Sequence, residues 1–196
     1  MSAASGIIHS EMPTEKMLKE GGVMHSFQIW VNLPAKYKMT APRYQDVPPE
    51  NIPTFTSSDE KTRIKVIAGK VEDVTANIDT RTQIFFLDLR TTGRYALDLP
   101  SGHGTQWCQM AVIKTDGQPI DFEAAGSEEA RVLVLAGTPI GEKVARYGPF
   151  VMNTQEELGQ AFTDMRTGRF GSIPGRMERM HQTDSANAAR AKAGKE

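Results

Sequence analysis

Cysteine is almost missing from this chain: Cys108 is the only one among 196 residues. That excludes an internal disulfide and any cysteine-rich zinc site, and it fits a reducing compartment. Charge of one sign is lacking as well, since 23 basic and 24 acidic residues leave a formal net charge of -1. Such a balance provides no field to draw in nucleic acid or an anionic membrane. Long apolar runs are absent; the longest, "IFFL" and "VLVLA", fall far short of a membrane span. The first residues have neither the basic start nor the apolar stretch of a signal peptide. There is no Gly-rich phosphate loop, nucleophile elbow or basic-aromatic stripe. Together these absences predict a soluble intracellular protein, cytoplasmic or nuclear, without direct nucleic-acid or membrane contact. The apolar share of 39% is low for one compact globule of this length, so one domain, or one and a fraction, is expected.

What is present is mostly strand signal. "GVMHSFQIWVNL", residues 22–33, sets Val23, His25, Phe27, Ile29, Val31 and Leu33 against Met24, Ser26, Gln28, Trp30 and Asn32. Both sets carry large apolar groups, which predicts a strand buried on two sides. The following "PAKYKMTAPRYQDVPPENIP" holds five prolines and predicts a connector. Beyond it, "TRIKVIAG" (62–69), "TQIFFLDLR" (82–90), "RYALDLP" (94–100), "TQWCQMAVIKT" (105–115) and "ARVLVLAG" (130–137) are rich in β-branched and aromatic residues. Gly69, Gly93, "SGHG", "DGQP" and "AAGSEE" separate them, and this spacing predicts a sandwich or barrel.

One helix is marked over 154–167. Asn153 is a candidate cap with Glu156 three residues later, and Gly168 stands where a left-handed terminal residue belongs. Leu158, Ala161, Phe162 and Met165 form one face, which should pack against the barrel. From residue 175 onward the chain is small and polar, and a disordered tail is expected.

Few residues carry chemistry. In a strand, residues i and i+2 project from one face, so His9 and Glu11 in "GIIHSEMP" can direct an imidazole and a carboxylate at one ion. Two ligands seldom hold a metal, and a bare His-x-Glu is more often a pair of polar strand residues. His103 lies in a turn and reads as solvated or capping; His181 falls in the tail. Cys108 beside Trp107 reads as a small core hydrophobe, with no base or positive field nearby in sequence. His25 reads as a satisfied core histidine.

Three blocks in order, "GIIHSEMP", "HSFQIWVNLPAKYKMTAPRYQDVPPENIP" and "LAGTPIGEKVARYGPFVMNTQEELGQAFTDMRTGRFG", resemble the pirin family of the cupin superfamily. The resemblance runs from residue 1 to about Phe170. It implies an all-β fold of cupin-type β-barrels, a bicupin, with the helix packed on the second barrel. Pirins hold a metal, usually described as iron, in the first barrel through three histidines and a glutamate. They are associated with quercetin 2,3-dioxygenase activity and, in animals, with co-regulation of transcription.

By position, His9 and Glu11 match the third histidine and the glutamate of that site. The first two ligands belong to an earlier His-x-His strand, so the chain is expected to be N-terminally truncated and to retain half of an Fe(2+) site. The second barrel also looks shortened by about two strands, on the order of ten to twenty residues. The expected layout is a remnant of the metal-binding barrel at 1–40, a Pro-rich linker at 41–56, a C-terminal cupin-like domain at 57–174 and the tail at 175–196. With two ligands, iron should bind weakly or not at all. Missing strands should also bare edges and apolar surface. Two functions follow: a non-catalytic scaffold or transcription co-regulator that engages protein partners, or an iron-dependent quercetin 2,3-dioxygenase-type enzyme whose other ligands come from elsewhere. In the second, a flavonol-like molecule would sit beneath Val23, His25, Phe27 and Ile29.

Overall fold

The computed structural model describes residues 1–9, 15–99, 104–105, 113–114 and 118–171. The described elements are helices α1 (Glu15–Glu20), α2 (Ala35–Lys38) and α3 (Gln155–Arg166), a 3-10 turn at Pro49–Asn51, and twelve strands. The strands are β1 (Thr54–Thr56), β2 (Thr62–Ala68), β3 (Lys70–Val71), β4 (Val74–Thr75), β5 (Ile84–Thr91), β6 (Arg94–Leu97), β7 (Gly104–Thr105), β8 (Ile113–Lys114), β9 (Ile120–Glu123), β10 (Ala130–Gly137), β11 (Ala145–Tyr147) and β12 (Phe150–Met152). The chain divides into two units. One holds residues 1–31, 35–44 and those from Lys143 onward; the other holds Asn32–Pro34 and Gln45–Glu142.

The second unit is built on a six-stranded sheet in the order β1-β2-β5-β10-β7-β8, joined by antiparallel pairs β3-β4 and β6-β9. Alternation in β2 explains its register: Thr62, Ile64, Val66 and Ala68 are buried while Arg63 and Lys65 are exposed. Antiparallel pairing sets Ile64 against Leu89 and Val66 against Leu87 on β5, and Val134 of β10 against Leu87 from the other side. All five are fully buried. Each such aliphatic side chain contributes roughly 1.5–3 kcal/mol on burial. At the end of this stripe the hydroxyls of Thr62 and Thr91 face each other across the register and bond at 2.8 Å, so two buried polar groups satisfy one another.

In the first unit, α3 packs on the β11-β12 hairpin. Phe162 meets Tyr147 and Phe150 edge-on, with ring centroids 5.5 and 4.8 Å apart, and Leu158 is buried. The cap lies one residue later than the sequence predicts. Thr154 Oγ1 accepts from the Glu157 amide (3.2 Å), and the Glu157 carboxylate accepts from the Thr154 amide (2.9 Å), a complete capping box. Asn153 is engaged elsewhere: its Nδ2 donates to the Lys143 carbonyl (3.0 Å). Gly168 takes the left-handed conformation expected of it, with φ +71°. Met165, placed by the sequence on the packed face, is more than a third exposed.

The greatest departure from the sequence reading is the stretch 22–33. It forms no strand, and among the described residues no strand pairs with it. Val23 is 93% exposed, Met24 64%, Phe27 55% and Trp30 58%, where burial on both faces was expected. Alternation dictates which side chains share a face, but a buried strand also needs neighbours along both edges, and none is supplied here. The proline-rich stretch contains α2, the 3-10 turn and the approach to β1. The expected tail at 175–196 lies outside the described residues.

Candidate functional site

The opening segment is pinned by a close approach. Gly6 has φ +112°, and a Cβ there would stand 2.5 Å from the Phe170 ring. Only glycine meets both demands. The Gly171 amide donates to the Gly6 carbonyl at 3.1 Å, and Ile7 forms an isolated parallel bridge with Gly171. Phe170 is itself packed edge-on against Phe150, 5.7 Å between centroids. Ile8 is 68% exposed and His9 is exposed beside it.

His9 thus lies two residues past a fixed point and outside any described strand. Glu11 lies outside the described residues, as do His103, Trp107, Cys108 and His181. His25, read from sequence as a core histidine, is exposed, and its ring meets that of Phe27 at a tilt of 50° with centroids 5.3 Å apart. The correction has the same cause as for its whole segment: the strand that would bury it does not form. Val23, Phe27 and Ile29, proposed roof of a flavonol pocket, are likewise exposed. Among the described residues no group of three His, Cys, Asp or Glu side chains converges as a metal would require. A redox iron needs at least three ligands with positions left open.

Charged groups elsewhere are paired structurally. Asp88, nearly buried on the face of β5 opposite the core, receives two hydrogen bonds from Arg131, at 2.8 and 2.9 Å. Those bonds hold its carboxyl below the usual aspartate range against the opposing effect of burial. Lys38, on α2, is buried and its Nζ donates to the Val151 carbonyl at 2.9 Å, tying α2 to β12. Sequence reasoning missed Lys38 and the Gly6–Phe170 contact. Glycine followed by a β-branched pair was the sole available signal for the latter, and a lysine flanked by aromatic and apolar residues gave none for the former.

A mostly antiparallel, aliphatic-cored sheet with, among the described residues, one helix of three turns defines an all-β protein of the cupin type. This chain belongs to the pirin family: the Pirin C-terminal cupin domain matches residues 55–171. It is 38% identical over 189 residues to a pirin-like protein of Caulobacter vibrioides, covering 87% of this chain and 66% of that one. It is 30% identical over 192 residues to pirin of Mus musculus, covering 87% of this chain and 64% of the other. The crystal structure of a quercetin 2,3-dioxygenase from Acinetobacter baumannii superposes with a TM-score of 0.61 at 31% identity, covering 74% of this chain and 56% of that chain. The chain thus spans about two thirds of the length of the curated relatives it matches, 65% for the first of them. Among the described residues no helix is long and apolar enough to cross a membrane.

Proposed function

We propose that this chain is a non-catalytic pirin-family scaffold or transcription co-regulator that engages protein partners, with impaired iron binding. The donor set carries the reading. Of the four ligand positions that the family resemblance implies, this sequence holds counterparts of two, His9 and Glu11, and His9 is exposed. Among the described residues of the second unit no metal-holding group converges, and the interior of its sheet is filled by Ile64, Val66, Leu87, Leu89 and Val134. A packed aliphatic interior offers stability and a shaped exterior.

Iron, where bound, would supply a centre able to take up dioxygen; His9 and Glu11 are the groups in this chain that would hold it. Metal analysis after incubation with ferrous ion tests the reading. Well below one iron per chain, unchanged by His9→Ala, is expected. Near-stoichiometric iron that is lost in His9→Ala or Glu11→Ala overturns it.

The alternative, an iron-dependent quercetin 2,3-dioxygenase-type enzyme, draws on the likeness to the Acinetobacter baumannii structure. Sustained oxygen uptake with quercetin and ferrous ion would establish that alternative and dismiss the scaffold.

A further inference from the structure

Three stretches of the first unit, far apart in sequence, meet at one knot where each touches the other two. Residues 2–5 bond to residues 40–43: the Ser2 amide donates to the Arg43 carbonyl (2.7 Å), the Arg43 amide to the Ser2 carbonyl (3.0 Å) and the Ser5 amide to the Thr40 carbonyl (3.1 Å). Gly6 and Ile7 meet Gly171 through the 3.1 Å hydrogen bond and the parallel bridge. Gly171 closes the third side against Pro42, since a Cβ on the glycine would stand 3.5 Å from the proline ring. In such a closed set of contacts, loosening one side takes support from the other two.

The Phe170 ring links this knot to α3. It lies so close over Gly6 that a Cβ has no room there, and Phe150 meets it edge-on from the other direction. Phe162 of α3 meets Phe150 in turn, with centroids 4.8 Å apart, so three rings connect the helix to the opening segment.

That segment is also strained. The Gly6 amide donates to the Ala3 carbonyl at 2.9 Å, and Ala4 inside the turn so formed has φ +45°, a left-handed conformation unfavourable for alanine. A conformation of this kind persists where its surroundings over-determine it. The Ser2–Arg43 pair clamps the turn on one side and the Gly6–Phe170 contact clamps it on the other.

We infer that Phe170 is the key of a three-way clasp that positions the segment leading to His9, and that withdrawing its ring releases residues 2–9 as one unit. Phe170 is a positioning residue: it touches Gly6 and acts on His9, three residues further on, through the backbone between them. The clasp is a property of the chain's own packing and stands whether or not His9 meets an ion.

Amide hydrogen exchange on the full chain tests the clasp in Phe170→Ala and in the milder Phe170→Leu. In Phe170→Ala the amides of Ser2, Ser5, Arg43 and Gly171 should exchange faster by a common factor of about ten or more, while those of β2 and β5 keep their rates. Phe170→Leu should give a smaller common factor, and it carries the test if Phe170→Ala does not fold. The His9 imidazole resonance, identified by its loss in His9→Gln, should shift in the same variants. A size exchange checks the key itself. Gly6→Ala should lower the folding equilibrium constant about 30-fold in the parent but only about fivefold beside Phe170→Ala or Phe170→Leu, where the left-handed backbone alone is felt. Acceleration confined to Gly171, an unmoved His9 resonance, or an equal cost of Gly6→Ala in every background overturns the inference.

Discussion

Strand β5 and the stretch 22–31 have similar raw material and opposite fates. Both set large apolar side chains along an extended pattern, yet Leu87 and Leu89 are fully buried while Val23 is 93% exposed. The difference lies along the edges. β5 has β2 on one side and β10 on the other, and its backbone groups are paired in both directions. The stretch 22–31 has no paired strand among the described residues on either side. Hydrophobic alternation is thus a statement about faces, and it becomes a buried strand only when partners close the ladder.

The sharpest way to break the comparison is to truncate one residue in each region. Leu89→Ala should cost about 2–5 kcal/mol in denaturant unfolding, whereas Phe27→Ala, measured in dilute solution, should stay within about 0.5 kcal/mol. Equal losses would mean that Phe27 is packed in solution.

Next in size is the ion pair on the outer face of β5. Asp88→Asn removes the acceptor charge from Arg131 and should cost about 1–2 kcal/mol, discounted because the arginine is half exposed. The sign with pH follows from the lowered carboxyl. Its stabilisation is complete above the ordinary aspartate range and disappears as pH falls through the depressed folded-state value. Acid unfolding curves of the parent and of Asp88→Asn should therefore converge at the acidic end; a gap that persists there contradicts the ion-pair account.

Smaller effects belong to the first unit. Thr154→Ala should lower stability by about 1 kcal/mol through loss of the capping box, while Asn153→Ala, outside that box, should leave helix content unchanged by circular dichroism. Lys38→Met keeps the apolar stem and removes the donor to Val151, for a loss of about 1 kcal/mol. If Lys38→Met proves neutral, water replaces that bond.

Much of the sheet was legible in the sequence because its period is regular. Strands β2 and β10 fall within residues 62–69 and 130–137, and β5 runs one residue past 82–90, stretches where β-branched residues cluster. The pair β11-β12 was not, since three-residue strands are too short to show a period. Nor was α1, which has fewer than two turns. The candidate site was legible only as residue types. His9 and Glu11 share a spacing, but the geometry that would make them ligands depends on strands whose side chains must converge from elsewhere, which spacing cannot express. The shift of the cap from Asn153 to Thr154 has a similar root: either residue suits the position, and the bond from Asn153 to Lys143 decided the choice.

The contact between Gly6 and Phe170 has a consequence for how the molecule is made. The first unit is assembled from three separated stretches, the second almost wholly from one. On the ribosome, residues 45–142 can finish their sheet while Arg146 and Phe170 are still unsynthesised, since domains form as their chain emerges. Residues 1–31 emerge before that sheet, yet their unit is completed only after residues 143 onward are made. The nascent chain thus carries exposed Val23, Phe27 and Trp30 while the whole second unit is made, and a chaperone that shields apolar segments has its substrate there.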